Sequence, residues 1–200
     1  MLLEAAIAGI AAGLLLKGSL RCLLDCKLRF FPLLLASVLL SLLPKMPGIN
    51  ILLSRFGAPA AFALAVLRYG ALLAFVFFNR GKTGLPIVGA GGFLNALVTI
   101  ANGGKMPVSQ AAVAAAPAGK DTILLQQGEI LNYCIAGART RLAFLCDCIK
   151  LRGIFLYFLS FGDILIAVGI FLFLLAEMKP RILTGKPPFG NSRGNIENGK

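Results

Sequence analysis

Leu85–Ser109, LPIVGAGGFLNALVTIANGGKMPVS, is the stretch on which the reading of the chain turns. As far as Ala101 it is apolar apart from Asn95 and Thr99. It carries Gly89, Gly91, Gly92 and Ala96, small residues that let a second backbone approach closely inside a membrane. Asn102-Gly103-Gly104-Lys105-Met106-Pro107 then follows. This dense polar turn predicts a specified exit from a membrane-depth helix, and that exit is the first candidate for a functional surface.

The rest of the chain has the same character. It is 58% hydrophobic and 14% charged, with a mean hydropathy of +0.86, too apolar for an ordinary soluble domain. Composition therefore predicts an all-α integral membrane helical bundle of about five transmembrane helices plus short interfacial helices. It forms a single transmembrane domain over residues 1–178, followed by a disordered basic cytoplasmic tail over 179–200. The net charge of +12 raises nucleic acid as a partner. The Lys and Arg residues, however, lie between and after the apolar runs, where anionic lipid headgroups meet them, so the bilayer is the expected partner and nucleic acid is not. There is no His, which removes the commonest metal ligand and the commonest general base. The five cysteines, Cys22, Cys26, Cys134, Cys146 and Cys148, lack zinc or disulfide spacing. No metal or cofactor is expected, and no catalytic residue stands out.

In chain order, residues 2–16 predict a first span with Ala5, Gly9 and Gly13 repeating every fourth position as a packing face. With Glu4 inside its start and no basic segment before it, the span is expected to be retained rather than cleaved. Residues 30–43 predict a short second span closed by Pro44 and Pro47, and a loop with Lys45 and Arg55 leads to a third span at 60–78 with Arg68 near its middle. Gly81-Lys82-Thr83 imitates the end of a phosphate-binding loop, but Val76 stands where its first Gly belongs. The fourth span is 85–101. Ser109 is placed to cap a short Ala-rich helix ended by Pro117 and Gly119, and residues 121–152 read as one or two surface helices. Ser160-Phe161-Gly162-Asp163 has the form of a capping box, so the fifth span should start at Phe161 after an interfacial or re-entrant approach, GIFLYFL.

Five spans put the termini on opposite sides. With the N terminus outside, the cytoplasm receives four basic residues between spans one and two, two between spans three and four, and five in the tail. The outer side receives two and six, the six diluted over a long loop. The positive-inside rule thus predicts N-out, C-in.

Asn79, the Gly-rich fourth span, the run FLNALVTIANGGKMPVS and the later SFGDILIAVGI together resemble domain-of-unknown-function family 5317 over nearly the whole chain up to about Met178. The resemblance implies a multi-pass bacterial cell-membrane protein and supplies no activity. That family's pattern has a Gly before the earlier Asp, where this chain has Cys146 before Asp147.

Arg68, Asn95 and Asp163, with Glu4, are expected to converge in the outer half of the membrane, Arg68 pairing with Glu4 or Asp163, and Asn102 and Lys105 just above. An Arg at mid-span costs about 2.5–3.5 kcal/mol on insertion scales and needs a partner or an exit to the interface. One reading is a structural ion pair. The other is a ligand-binding site made of Arg68, Asn95, Asn102, Gly103, Gly104, Lys105, Asp147 and Asp163 for an anionic or amphipathic small molecule. The corresponding functions are a small-molecule binding or transport-accessory component, or a partner subunit for another membrane protein. A membrane enzyme acting on a lipid-linked substrate is the alternative, with Asp147 and Asp163 as the available acids.

Overall fold

In the computed structural model, residues 2–114, 123, 125, 127–128, 130–152 and 156–178 are described. The tail reading for 179–200, and the Pro117–Gly119 end of the Ala-rich helix, lie outside them. The described chain is mostly helical: α1 (Leu2–Leu15), α2 (Leu20–Leu24), α3 (Phe31–Leu42), α4 (Pro47–Ser54), α5 (Gly57–Phe78), α6 (Leu85–Ala101), α7 (Gln110–Ala114) and α8 (Phe161–Glu177). Four short strands accompany them: β1 (Met106–Val108), β2 (Tyr133–Ile135), β3 (Ile149–Arg152) and β4 (Leu156–Leu159).

Helix ends follow local chemistry. Pro32, Pro59 and Pro86 sit in the first turns of α3, α5 and α6, where a missing N–H costs nothing. The fourth segment runs Leu85–Ala101 and the fifth starts at Phe161, as read from the sequence. The loop expected after residue 43 instead winds through a 3-10 turn, Leu43–Lys45, into α4. Among the described residues only α5, with 22 residues, has both the length and the apolarity to cross a bilayer. At about 1.5 Å per residue it spans about 33 Å, whereas α6 and α8, with 17 residues each, reach about 26 Å.

The long helices pack in the order α1, α8, α6, α5, α3, so the last helix is inserted between the first and the fourth. Its contact with α6 is glycine on glycine. Gly84 faces Gly169 and Gly91 faces Gly162, two pairs seven residues apart on antiparallel helices. A methyl group at Gly169 would come within 2.7 Å of the Gly84 carbonyl oxygen and of the Val88 backbone nitrogen, and one at Gly91 would run into the Gly162 carbonyl. On the other face of α8, a methyl group at Gly9 would lie 3.2 Å from the Phe171 carbonyl oxygen and from Leu174 Cβ, and one at Gly13 would run into the Met178 side chain. The stripe predicted on α1 thus packs through Gly9 and Gly13, both buried, while Ala5 stays half-exposed.

At the end of the bundle where α5 stops, Asn79 ties α3 to α5. Its Oδ1 accepts from Arg29 N–H at 2.8 Å, while its Nδ2 donates to Arg29 O at 2.7 Å and to Phe75 O at 2.8 Å. This clamp holds the chain just before Phe30, which starts α3 in the left-handed conformation at φ 53°. Lys82 Nζ, 2.9 Å from Glu177 Oε2, ties the same end to the last turn of α8.

The opposite end carries the strands: β2 and β3 lie where surface helices were expected, while Ile123 and Leu125 are helical, and β4 forms the part of the approach to α8 that is described. β1 pairs in parallel with β2, Asp147 bridges to Val108 on the other side of β1, and β3–β4 form an antiparallel hairpin that runs directly into α8. Segments of three or four residues are too short to show alternation, and their pairing is set by backbone partners distant in sequence. Val98 and Met106 pack with Leu145, with Leu94, Tyr133 and Leu142 around them, and seat this layer on the end of α6.

Gly162→Ala should therefore lower thermal stability in detergent by about 1–3 kcal/mol through overpacking against Asn95 and Gly91. Gly70→Ala, at an exposed helical site on α5 with open space around it, should raise stability by about 0.5–1 kcal/mol. Equal melting shifts for the two variants would contradict the glycine contact.

Candidate functional site

The capping box at the head of α8 is complete. Ser160 Oγ accepts from Asp163 N–H, and Asp163 Oδ2 accepts from Ser160 N–H, both at 3.1 Å. Because Gly162 lies against α6, Asn95 reaches into this cap. Its Nδ2 donates to Asp163 Oδ1 at 2.8 Å, and its Oδ1 accepts from the Ser160 hydroxyl at 2.8 Å. Asn95 and Ser160 are buried, so the three side chains form a satisfied latch between the helices.

Asp163, engaged in this way, does not pair with Arg68. Glu4 does not either, because α1 packs on α8 and two helices separate it from α5. The ion pair expected for Arg68 is thus replaced by its neighbour in the chain. Arg68 Nη2 donates to Tyr69 Oη at 3.0 Å, and the guanidinium carbon lies 4.4 Å from the Tyr69 ring centroid. Its Nε is buried with no hydrogen-bond partner among the described residues.

The other unsatisfied atom of this neighbourhood belongs to Asp147. Its backbone is held to β1, with its N–H donating to Pro107 O at 2.9 Å and its carbonyl accepting from Ser109 N–H at 3.0 Å. The carboxyl is carried inward, the residue is 3% exposed, and Oδ1 has no hydrogen-bond partner among the described residues. Burial, reinforced by the charge of Asp163 and opposed by that of Arg68, pushes its pKa up to about 8. Burial also raises the Tyr133 phenol far above its ordinary range, with Asp147 adding to the effect. Tyr69 and Thr99 complete the cluster, the Tyr69 hydroxyl facing the fully buried Thr99.

Arg68, Asn95, Asp147 and Asp163 are thus gathered at one end of the bundle, on three helices and one loop. The other four residues of the predicted site go elsewhere. Asn102 closes α6 and repeats the clamp of Asn79, since its Nδ2 donates to Val98 O and Arg141 O and its Oδ1 accepts from Arg141 N–H, at 2.8, 2.8 and 2.9 Å. Leu142, directly after the clamped Arg141, has φ 54°, as Phe30 does after Arg29. Gly103 and Gly104 form a Schellman turn, with Gly104 N–H on Thr99 O at 2.9 Å and Gly103 N–H on Ile100 O at 3.1 Å. Gly104, at φ 87°, is pressed onto the backbone of Ala61 and Phe62, which leaves no room for a side chain. Lys105 lines a separate groove of about 430 Å³ with Asn50, Ile51, Gly57, Ala58, Gly128 and Leu131. The polar exit is therefore an anchor for the strand layer, and Ser109 caps α7 as expected, accepting from Ala112 N–H at 3.1 Å.

Tyr69, Thr99, Tyr133 and the Ser160–Asn95 contact escaped the sequence reading. The one sequence signal that pointed to the paired clamps was Asn-x-Gly-Lys, which occurs at both 79–82 and 102–105.

Fold and site define the class: a mostly helical protein with glycine-paired helices, a small strand layer over one end, and at that end the buried Asp147 with the half-buried Arg68, Tyr69 and Tyr133. The chain belongs to the family of unknown function DUF5317, whose profile matches residues 25–175. No curated protein and no solved structure matches it significantly.

Two consequences can be measured. Ser160→Ala removes a cap that contributes about 0.5–2 kcal/mol and strands the buried Asn95 oxygen, which adds about 1–3 kcal/mol. Ser160→Thr should restore most of the loss; melting curves of the two variants in detergent would decide it. The second concerns pH. Because the folded pKa of Asp147 is raised, the folded state holds a proton that the unfolded chain releases near pH 4. Its contribution is full below that value, declines as pH rises, and is gone above about 8, with a slope of about 1.4 kcal/mol per pH unit. Asp147→Asn should flatten the stability profile between pH 5 and 8, in the range of about three pH units where the slope applies. Profiles of wild type and variant that run parallel would contradict it.

Proposed function

We propose that this chain is an integral protein of the bacterial cytoplasmic membrane, crossing it five times with the N terminus outside and the C terminus in the cytoplasm. In this reading the cluster around Arg68 and Asp147 binds an anionic or amphipathic small molecule. The protein acts as a binding or transport-accessory component, alone or as subunit of a membrane partner. The observation that carries this is the inverted burial of the bundle. α1 buries only Gly9 and Gly13, and α8 buries Gly162, Ile166 and Gly169. Meanwhile Leu3, Leu15, Phe31, Leu39, Leu67, Phe93 and Phe161 are each about half exposed or more. Water does not tolerate so large an apolar surface on a lone chain, and lipid does.

Packing directions support five crossings. The α6–α8 contacts are antiparallel, and those of α1 with α8 are parallel. Lys17, Arg21, Lys27, Arg29 and Arg80 therefore gather, exposed, at the end opposite the strand layer, as a cytoplasmic face requires. Helices shorter than a full span fit where the strand layer covers the ends of α6 and α8 and where α3 continues into α4.

The second reading, a membrane enzyme acting on a lipid-linked substrate, is favoured by one observation: Asp147 is a buried acid whose pKa near neutrality suits proton transfer. Asp163 no longer competes for that role, since Asn95 and Ser160 occupy its carboxylate.

In intact cells, an impermeant thiol reagent should label the exposed Cys148 and spare Cys22 and Cys26. Labelling of either of the latter two overturns the orientation. Mass spectrometry of the purified protein should find a retained small molecule that is lost from a folded Arg68→Leu variant. Unchanged retention in that variant would remove the binding site from this cluster.

A further inference from the structure

The groove of about 430 Å³ beside Lys105 is walled by Asn50 and Ile51 of α4, Gly57 and Ala58 at the start of α5, and Gly128 of the turn before β2. Its volume falls within the range of small-ligand sites, about 300–1,000 Å³. Gly57 and Gly128 stand at φ 59° and 73°, and a methyl group on either would meet nothing within 4 Å, so this part of the wall is bare backbone facing open space. Lys105 brings the one charge of the described lining, and its ammonium has no ion pair or hydrogen bond among the described residues. We infer that the groove holds the monoanionic phosphodiester headgroup of a membrane lipid, with Lys105 as its counter-charge. The inference goes beyond the cluster around Arg68 and Asp147, and it rests only on the membrane placement proposed above.

The ligand class follows from the lining. A half-buried ammonium beside a cavity whose described walls carry no acid favours an anion, and one cation offsets one charge. A zwitterionic headgroup would bring a positive group to walls that offer it no carboxylate. A phosphate monoester would bring a second negative charge that Lys105 does not offset. Asn50 adds an uncharged amide suited to headgroup hydroxyls. The lipid source follows from the surface around the groove. Ile51, itself part of the lining, is exposed, and so are Leu52 and Phe56 on either side of the turn from α4 to α5. In the proposed topology α5 enters the bilayer near Gly57, so the groove lies at headgroup level and acyl chains find this apolar surface beside it. A water-borne anion gains nothing from those side chains.

Native mass spectrometry of the purified full chain in detergent tests this with three probes: phosphatidylglycerol, phosphatidylcholine of the same acyl chains, and the chain-free headgroup glycerophosphoglycerol. The expected result is one saturable phosphatidylglycerol site, about tenfold or more tighter than phosphatidylcholine, with the chain-free headgroup far weaker than either lipid. Lys105→Gln should weaken phosphatidylglycerol about tenfold to hundredfold. Ala58→Phe, which fills the groove and leaves Lys105 in place, should abolish binding. Arg55→Gln removes an exposed cation outside the described lining and should change the affinity by less than about twofold. Circular dichroism confirms that each variant is folded. Equal affinities for the two lipids, equal losses from Lys105→Gln and Arg55→Gln, or unchanged binding in Ala58→Phe overturns the inference. Glycerophosphoglycerol binding as tightly as the lipid overturns the lipid source. If Arg68→Leu weakens phosphatidylglycerol binding and Lys105→Gln does not, the groove assignment falls and the cluster reading stands. A chain that stays in solution without detergent removes the membrane placement, and this inference with it.

Discussion

The contact of Gly84 and Gly91 with Gly169 and Gly162 is the constraint from which the rest of the bundle follows. In the lipid surroundings proposed for this chain, apolar side chains gain little by leaving them, so helices associate through close backbone packing and interhelical hydrogen bonds. Glycines supply the first, and the second appears one turn further on, where Asn95 meets Ser160 and Asp163. Because α8 is held this tightly against α6, the strand that precedes it must end directly over the C-terminal part of α6. The same end holds Asp147, whose neighbour Cys148 donates its N–H to Leu159 O.

The two Asn clamps serve the same end by different means. Each lies at the C-cap of a long helix, where carbonyl groups lack intrahelical partners, and each fixes a remote Arg backbone with both amide atoms. The residue following each clamped Arg sits in the left-handed region, a conformation costing about 1–2 kcal/mol for a side chain with a Cβ. One clamp sets the start of α3 and the other sets the turn that leads to Asp147. A flexible exit from α6 would leave the carboxyl free to swing into water, and its raised pKa would disappear with its burial.

The cluster itself departs from the economy of the remainder. Among the described residues elsewhere, Asn79, Asn95, Ser160 and Asp163 each have geometric partners. Arg68 Nε and Asp147 Oδ1 are an unmatched donor and an unmatched acceptor among the described residues. Such exceptions mark sites where structure has been subordinated to binding or proton chemistry.

Much of this was legible in residues taken one stretch at a time. Apolar runs, Pro in first turns and the S-x-x-D cap depend on neighbours within about four positions, and they gave the limits of α6 and the start of α8 directly. Composition likewise carried the apolar excess that α5, the one described helix long and apolar enough to cross a membrane, displays. Other features had no local signal. The β1–β2 pairing joins residues whose partners lie far apart in the chain, Arg68 found Tyr69 rather than an acid, and Asn102 to Lys105 became an anchor rather than part of the cluster. The sequence by itself determined which segments are helical, how they begin and what surroundings they suit, because those properties are set by short-range sterics and hydrogen bonds. Which helix lies against which, and therefore which polar side chains come together, was decided by tertiary structure, because close approach depends on matching glycines on two segments distant in the chain.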